Sequence, residues 1–197
     1  MFTGIVGSAK IVSVIAQENG WTLIVNAPNI FDKVSIGDSV AIDGACLSVV
    51  KKEEESLSFF VSLESIDKTI IKLYEPETLV NIELPMQPTG YLGGHYVLGH
   101  VDATATVANI IKGEEAWFLS IKYPIEFSKY TVYKGSITIS GVSLTINKCD
   151  DDIVELCIIP ITLTKTNLGL LGVGSLVNIE FDILAKYTEK LLIKRDS

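Results

Sequence analysis

The feature that most restricts the fold is an internal repeat. Segment 39–49, SVAIDGACLSV, lines up with segment 136–146, SITISGVSLTI, at a constant offset of 97, with Ser39/Ser136, Gly44/Gly141 and Leu47/Leu144 identical. The same offset pairs Thr69 with Thr166 and superimposes LVNIE at 79–83 on LVNIE at 176–180. One register holds across more than forty residues, so the chain is a tandem duplication. Nearer the start, Gly4-Ile5-Val6 matches Gly99-His100-Val101 at an offset of 95, which predicts a two-residue length difference in an early loop.

Within each copy the pattern is strand-like. Val40 and Ile42, like Ile137 and Ile139, alternate with smaller or polar residues, in short β-branched runs that end in Gly, Asn or Asp. A unit of under a hundred residues built from many short strands removes its open edges best by closing into a barrel. The expected fold class is all-β, two similar barrels in tandem plus a C-terminal α-helix. The helix is predicted from Ile183 to Lys194, where Ile183, Leu184, Tyr187, Leu191 and Leu192 fall near helical spacing. Met86-Gln87-Pro88-Thr89-Gly90 reads as the linker. The expected division is 1–95, 96–183 and a helix at 184–197.

Composition narrows the function. With 24 acidic against 16 basic side chains the net charge is -8, which repels phosphate backbones and anionic lipid over most of the surface. No apolar run reaches the roughly 18 residues a membrane-spanning helix needs, and the start lacks the basic and apolar regions of a secretion signal. The reading is a protein of the cytoplasm with no nucleic-acid or membrane partner. Cys46, Cys149 and Cys157 lack paired C-x-x-C spacing and read as reduced thiols.

Three groups of residues stand out. After each repeated glycine comes an alternating polar pair, Cys46 and Ser48 in the first copy and Ser143 and Thr145 in the second. Residues i and i+2 of a strand face one side, so each barrel presents two small donor/acceptor groups together. Next is Gly93 to Asp102, which holds both histidines, His95 and His100. Their spacing and the lack of further ligands argue against a metal. His100 is the better candidate for moving a proton, and His95 for a turn residue satisfied locally. Last is Lys134, which aligns with Gly37, so the two cradles differ in charge.

These residues together resemble riboflavin synthase of the two-barrel type: MFTGIV at the start, G-x-C-L-S at 44–48, GGHYVLGHVD at 93–102, YKGSI with G-x-S-L-T at 133–145, and the terminal VNIE. The resemblance runs in order from Met1 to about Lys190. It implies two six-stranded antiparallel Greek-key barrels and a helix that gathers three chains into a homotrimer. It implies no metal and no redox cofactor, and leaves room for association with a lumazine synthase. The implied reaction joins two molecules of 6,7-dimethyl-8-ribityllumazine, one per barrel, and passes a four-carbon unit between them to give riboflavin and 5-amino-6-(ribitylamino)uracil.

Carried over by position, the first-barrel site is expected to use Gly4, Ile5 and Val6, then Cys46, Leu47 and Ser48, then a strand of Phe60, Val61, Ser62, Leu63, Glu64 and Ser65. Its counterpart would use Gly99, His100 and Val101, then Lys134, Ser143, Leu144 and Thr145, then a strand of Cys157, Ile158, Ile159, Pro160, Ile161 and Thr162. The C7 methyl of the lumazine is acidic because its anion spreads over the heterocycle, and donors aimed at the ring oxygens stabilise that charge. His100 and Ser143 are the candidates for proton movement, Cys46 and Ser48 for positioning a nucleophile. Three positions depart from the family: Ser140 stands for an aspartate, Ile161 for a His or Glu, and Ser65 for a threonine. Two competing readings are a lumazine-binding antenna without turnover, which typically degrades one cradle, and an oligonucleotide-binding barrel, which needs a basic, aromatic groove.

Overall fold

The computed structural model describes residues 1–193. The first barrel comprises β1 (Gly7–Gln17), β2 (Gly20–Asn26), β3 (Ser39–Ile42), β4 (Ala45–Glu53), β5 (Ser56–Val61) and β6 (Leu79–Glu83). The second comprises β7 (Ala103–Lys112), β8 (Trp117–Lys122), β9 (Ser136–Ile139), β10 (Val142–Cys149), β11 (Ile153–Ile158) and β12 (Leu176–Phe181). Both are closed and antiparallel, with the ring order β1-β2-β5-β4-β3-β6 and its counterpart β7-β8-β11-β10-β9-β12. Short helices interrupt each copy: α1 (Pro28–Phe31) and α2 (Leu63–Lys68) in the first, α3 (Pro160–Lys165) in the second. The tail forms α4 (Ile183–Ile193); the predicted extension to Lys194 and on to Ser197 lies outside the described residues.

The period-2 pattern is a period of burial where a strand faces solvent on one side, whereas on β3 and β9 the alternate residues Ala41 and Thr138 are buried as well, at 3% and 1%. Along β11 every second residue, Val154, Leu156 and Ile158, has no exposure, because adjacent side chains on a strand point to opposite faces. Each barrel fills its interior with such residues: Leu23, Val25, Val40, Leu57 and Phe59 in one, Val107, Ile121, Ile137 and Phe181 in the other. Each side chain of this kind contributes about 1.5–3 kcal/mol on burial. Phe181 is further set against Phe127, with ring centroids 5.0 Å apart, and edge-on to Tyr123 at 5.4 Å. Register shifts fall at matching places, between Val49 and Lys51 and between Ile146 and Lys148; such bulges bend strands and help close small barrels.

The two-residue length difference expected in one early loop is two separate single-residue differences. Gly7 and Ala103 both face the repeated isoleucine of the VNIE strand, Ile82 and Ile179. The second copy therefore has one extra residue between its Gly-x-Val and its first strand, and that residue is Asp102. The other difference lies in the connection from the second strand to the third.

The barrels meet at the tips of their β3–β4 and β9–β10 hairpins. Each tip is a two-residue turn with both residues at positive φ, Asp43-Gly44 (43° and 79°) and Ser140-Gly141 (43° and 81°), the primed turn that suits strand twist. The glycines touch back to back: a Cβ on Gly141 would sit 2.7 Å from the Gly44 nitrogen, and one on Gly44 2.8 Å from the Gly141 nitrogen. Around them runs a seam of amides. Asn81 donates to the Ser140 carbonyl at 2.7 Å, and Asn178 donates to the Asp43 carbonyl at 2.8 Å.

Asp43 brings a buried carboxylate to this seam. It accepts from the Asn81 N–H (2.7 Å), the Tyr74 hydroxyl (2.7 Å) and the Asn167 amide (2.9 Å). Burial outweighs these bonds and pushes its pKa up to about 7. Glu83 and Glu180 are also raised by burial. A carboxyl with a raised folded pKa contributes fully below its unfolded pKa. That contribution is lost as pH rises toward the folded pKa, because the unfolded chain releases the proton first. Denaturation midpoints should therefore fall between pH 4 and pH 7, with Asp43 alone supplying up to ~1.4 kcal/mol per pH unit. Asp43→Asn should make the decline shallower; an unchanged decline would remove Asp43 as its source.

Candidate functional site

Two clefts of about 300 and 260 Å³ match each other residue for residue. The first is lined by Ala45, Cys46, Glu64, Ser65, Lys68 and Thr69 of the first barrel, together with Gly99, His100 and Val101. The second is lined by Val142, Ser143, Ile161, Thr162, Lys165 and Thr166 of the second barrel, together with Gly4, Ile5 and Val6. All nine positions of one are the repeat mates of the nine in the other.

The expected allotment of Gly4-Ile5-Val6 to Cys46, and of Gly99-His100-Val101 to Ser143, is thereby reversed. Each copy's leading arm crosses the seam and completes the other barrel's cleft. The Cys46 N–H donates to the Gly99 carbonyl at 2.8 Å, and the Ser143 N–H donates to the Gly4 carbonyl at 2.9 Å. The arms pair with one another where they cross: the Phe2 N–H donates to Val97 O at 2.7 Å and the Val97 N–H to Phe2 O at 3.2 Å. The glycines permit this approach, since a Cβ on Gly4 would lie 2.5 Å from Ser143 Cβ and one on Gly99 2.6 Å from Cys46 Cβ.

A buried glutamate from the end of each barrel's last strand holds that barrel's own arm. Glu83 accepts from the Thr3 N–H and hydroxyl, both at 2.7 Å, and from the Gly4 N–H at 2.9 Å. Glu180 accepts from the N–H groups of Leu98, Gly99 and His100 at 2.7, 3.0 and 3.1 Å. These are the final letters of the two VNIE repeats.

The expected strands across Phe60–Ser65 and Cys157–Thr162 are strands only as far as Val61 and Ile158. Beyond them the chain turns into α2 and α3. The Ser62 hydroxyl caps α2 by accepting from the Ser65 N–H at 3.2 Å, and Pro160 opens α3. The two helices bring Glu64, Ser65, Ile161 and Thr162 to their clefts and add Lys68 and Lys165, a cation at each rim, and the buried Thr69 and Thr166. Leu63, Ile159 and Pro160 are exposed beside them.

Other expected site residues act through backbone or stand apart. Leu47, Val61 and Ile158 point into the cores and Leu144 packs against one. Ser48 and Thr145 are exposed one step farther along the outer face. Phe60 covers Gly20, and Cys157 is a half-buried free thiol opposite Phe118. Lys134 lines neither cleft. It occupies a left-handed turn at φ 63°, as Gly37 does at φ 94° in the first copy, and its N–H pairs with Ile146 O, on the strand beyond Ser143.

The two histidines stand at different clefts. His100 is exposed in the first cleft, on the same side as Cys46, and so is not the partner of Ser143. That partner is His95, whose Nδ1 is 2.7 Å from the Ser143 hydroxyl and whose Nε2 is 3.2 Å from the Thr138 hydroxyl. Burial lowers the His95 pKa below its ordinary 6.5, so the ring is neutral at pH 7 and able to exchange a proton with the serine. The sequence signal for it is the pair before it: a Cβ on Gly94 would lie 2.1 Å from Thr3 O and 2.7 Å from the Ser143 side chain.

The clefts therefore share a plan and differ in chemistry. The first offers a thiol, an imidazole and a carboxylate; the second offers a serine backed by a buried imidazole, with Ile5 and Ile161 where the first has His100 and Glu64. Among the described residues no helix is long and apolar enough to cross a membrane.

A family model described as the lumazine binding domain matches the chain twice, over residues 3–85 and 98–182. A riboflavin synthase of Photobacterium leiognathi is 39% identical over 194 residues, covering 98% of this chain and 89% of that protein. The riboflavin synthase of Bacillus subtilis (strain 168) is 35% identical over 195 residues, covering 98% and 91%. The solved structure of LumP complexed with 6,7-dimethyl-8-(1'-D-ribityl) lumazine aligns with a TM-score of 0.84 at 28% identity, covering 92% of this chain and 99% of that one. LumP complexed with riboflavin aligns with a TM-score of 0.85 at 29% identity. With both halves matched and near-complete coverage, the chain belongs to the riboflavin synthase family.

Proposed function

We propose that the protein is a riboflavin synthase that binds one molecule of 6,7-dimethyl-8-ribityllumazine in each cleft and passes a four-carbon unit from one to the other. The observation that carries this reading is the residue-for-residue match of the two clefts. A reaction of two identical molecules needs two surfaces of one plan that accept the same molecule, and holding both converts an encounter into a step within one assembly, worth about 7–11 kcal/mol at best.

The unlike chemistry of the clefts suits unlike roles. In the first, His100 and Glu64 supply groups that take or return a proton at the C7 methyl, with Cys46 beside them. In the second, Ser143, its hydroxyl polarised by neutral His95, orients or delivers a nucleophile to the ring that gives up its four carbons. Two substrate molecules then leave as riboflavin and 5-amino-6-(ribitylamino)uracil, with every atom accounted for and no external oxidant.

The productive site in this reading joins the first cleft of one chain to the second cleft of a neighbour, in a homotrimer gathered by α4. That helix exposes Leu184, Tyr187, Leu191 and Leu192, an apolar surface suited to self-association. A cytoplasmic setting fits the three free cysteines. An association with a lumazine synthase, the class of enzyme that supplies the substrate, fits the same pathway logic.

Incubating the protein with the lumazine alone tests the reading. Riboflavin should accumulate at one molecule per two consumed. Saturable binding without riboflavin would favour the antenna alternative, against which both clefts being retained now weighs.

A further inference from the structure

Among the differences between the copies are the extra residue of the second copy's arm, Asp102, and an added element, α4. The two meet. Lys186 of α4 donates to Asp102 Oδ1 at 2.6 Å, and Asp102 Oδ2 accepts the Phe181 N–H at 2.9 Å. Both side chains of the pair are largely covered, at 24% and 17% exposure, so solvent screens it less than the surface pairs elsewhere on the molecule. The Asp102 N–H is itself tied to Ile179 O at 2.9 Å. Immediately before Asp102 in the chain are Gly99, His100 and Val101, the three residues that cross the seam into the first cleft.

Among the described residues the first copy shows no counterpart. Its arm runs directly from Val6 into Gly7, with no acidic residue to receive a cation. The position that matches Lys186 by the repeat offset is Thr89 in the linker. Among side-chain anchors of the described residues the second cleft's arm has Glu83, whereas the first cleft's arm has Glu180 and again, one residue past Val101, the tie to a helix. α4 is itself anchored at a separate point, where Glu189 pairs with Lys129 and Tyr130 of the 3₁₀ turn at Ile125–Tyr130.

We propose that Lys186 is a positioning residue for the first cleft: through Asp102 it fixes the arm that carries His100, so that the docking of α4 is felt at one of the two substrate sites and not at the other. The substrate half of this inference rests on the function proposed above; the structural half does not. Fixing the arm matters because its backbone must stay within hydrogen-bond reach of Cys46 for His100 to share a cleft with it.

Two measurements on the full chain test it, using Lys186→Met, which keeps the aliphatic stem and removes the charge, and Lys186→Arg, which restores a cation. Hydrogen exchange followed by mass spectrometry should be faster at residues 98–102 in Lys186→Met and unchanged at residues 3–7, with Lys186→Arg close to the parent. Titration with 6,7-dimethyl-8-ribityllumazine is then read one cleft at a time, in a Thr162→Trp background that obstructs the second cleft and a Ser65→Trp background that obstructs the first. Lys186→Met should weaken binding at the first cleft at least fivefold, leave the second within twofold, and be rescued by arginine.

Equal weakening at both clefts, or no selective exchange at 98–102, would overturn the proposal. If Lys186→Met does not fold, Asp102→Asn, which retains an acceptor for the Phe181 N–H, serves in its place with the same criteria. Failure of the parent protein to bind the lumazine at either cleft would instead sink the proposed function, while the exchange result would still decide the positioning role.

Discussion

Gly141→Ala is expected to destabilise the folded chain by about 3–5 kcal/mol, near the upper end for single substitutions. Two causes add. Gly141 sits at φ 81°, where an L residue with a Cβ costs roughly 1–2 kcal/mol. The new methyl would also lie 2.7 Å from the Gly44 backbone nitrogen, and that contact cannot be relieved by a rotamer change because both partners are backbone. The seam has to open instead, which strains the amide bonds of Asn81 and Asn178 across it. With typical domain stabilities of about 5–15 kcal/mol, much of the protein's margin is spent at this point. Equilibrium unfolding in urea is the measurement, and a variant within 1 kcal/mol of the parent would show that the tips do not meet as described.

The second large effect is catalytic. Ser143→Ala should lower turnover of the lumazine by roughly 10²- to 10⁴-fold, the span associated with a positioned acid/base group, while leaving the fold intact, since the Ser143 N–H that binds Gly4 O is retained. His95→Gln should lower turnover in the same direction and also change its pH profile. Burial holds the folded pKa of His95 below 6.5, so dependence on the neutral ring gives a plateau above pH 6.5 and a loss as acidity increases through the lowered pKa. The same shift gives His95 a stabilising contribution that is present above pH 6.5 and lost as pH falls, opposite in sign to that of Asp43. Turnover within threefold of the parent in Ser143→Ala, or an unaltered acid limb in His95→Gln, would remove this pair from the chemistry.

Much of this architecture was legible in the repeat. Positions 97 apart are structurally equivalent throughout the third to sixth strands of each copy, and the alternation of core and surface shows along β11, while the third and sixth strands are buried on both faces. The primed turn was written as Asp43-Gly44; Ser140-Gly141 repeats it with a residue less suited to positive φ. What the repeat did not disclose is which barrel an arm serves. A match between Gly4-Ile5-Val6 and Gly99-His100-Val101 equates the two arms but says nothing about crossing, because a crossed pair and an uncrossed pair have the same self-alignment. His95 escaped for a related reason: at the arm's offset of 95 no position of this sequence stands opposite it, so the self-alignment does not mark it. The helices α2 and α3 are six residues long, too short for a helical period to show. Only their first residues, a capping Ser62 and an opening Pro160, announced them.

The crossing of the arms has a consequence for biosynthesis. A nascent chain holding only its first half would hold neither cleft complete. Cys46 would lack the backbone of Gly99, and Gly4 would have no Ser143 to lean on. Both clefts draw on both halves of the sequence, and neither is complete until the later half is in place.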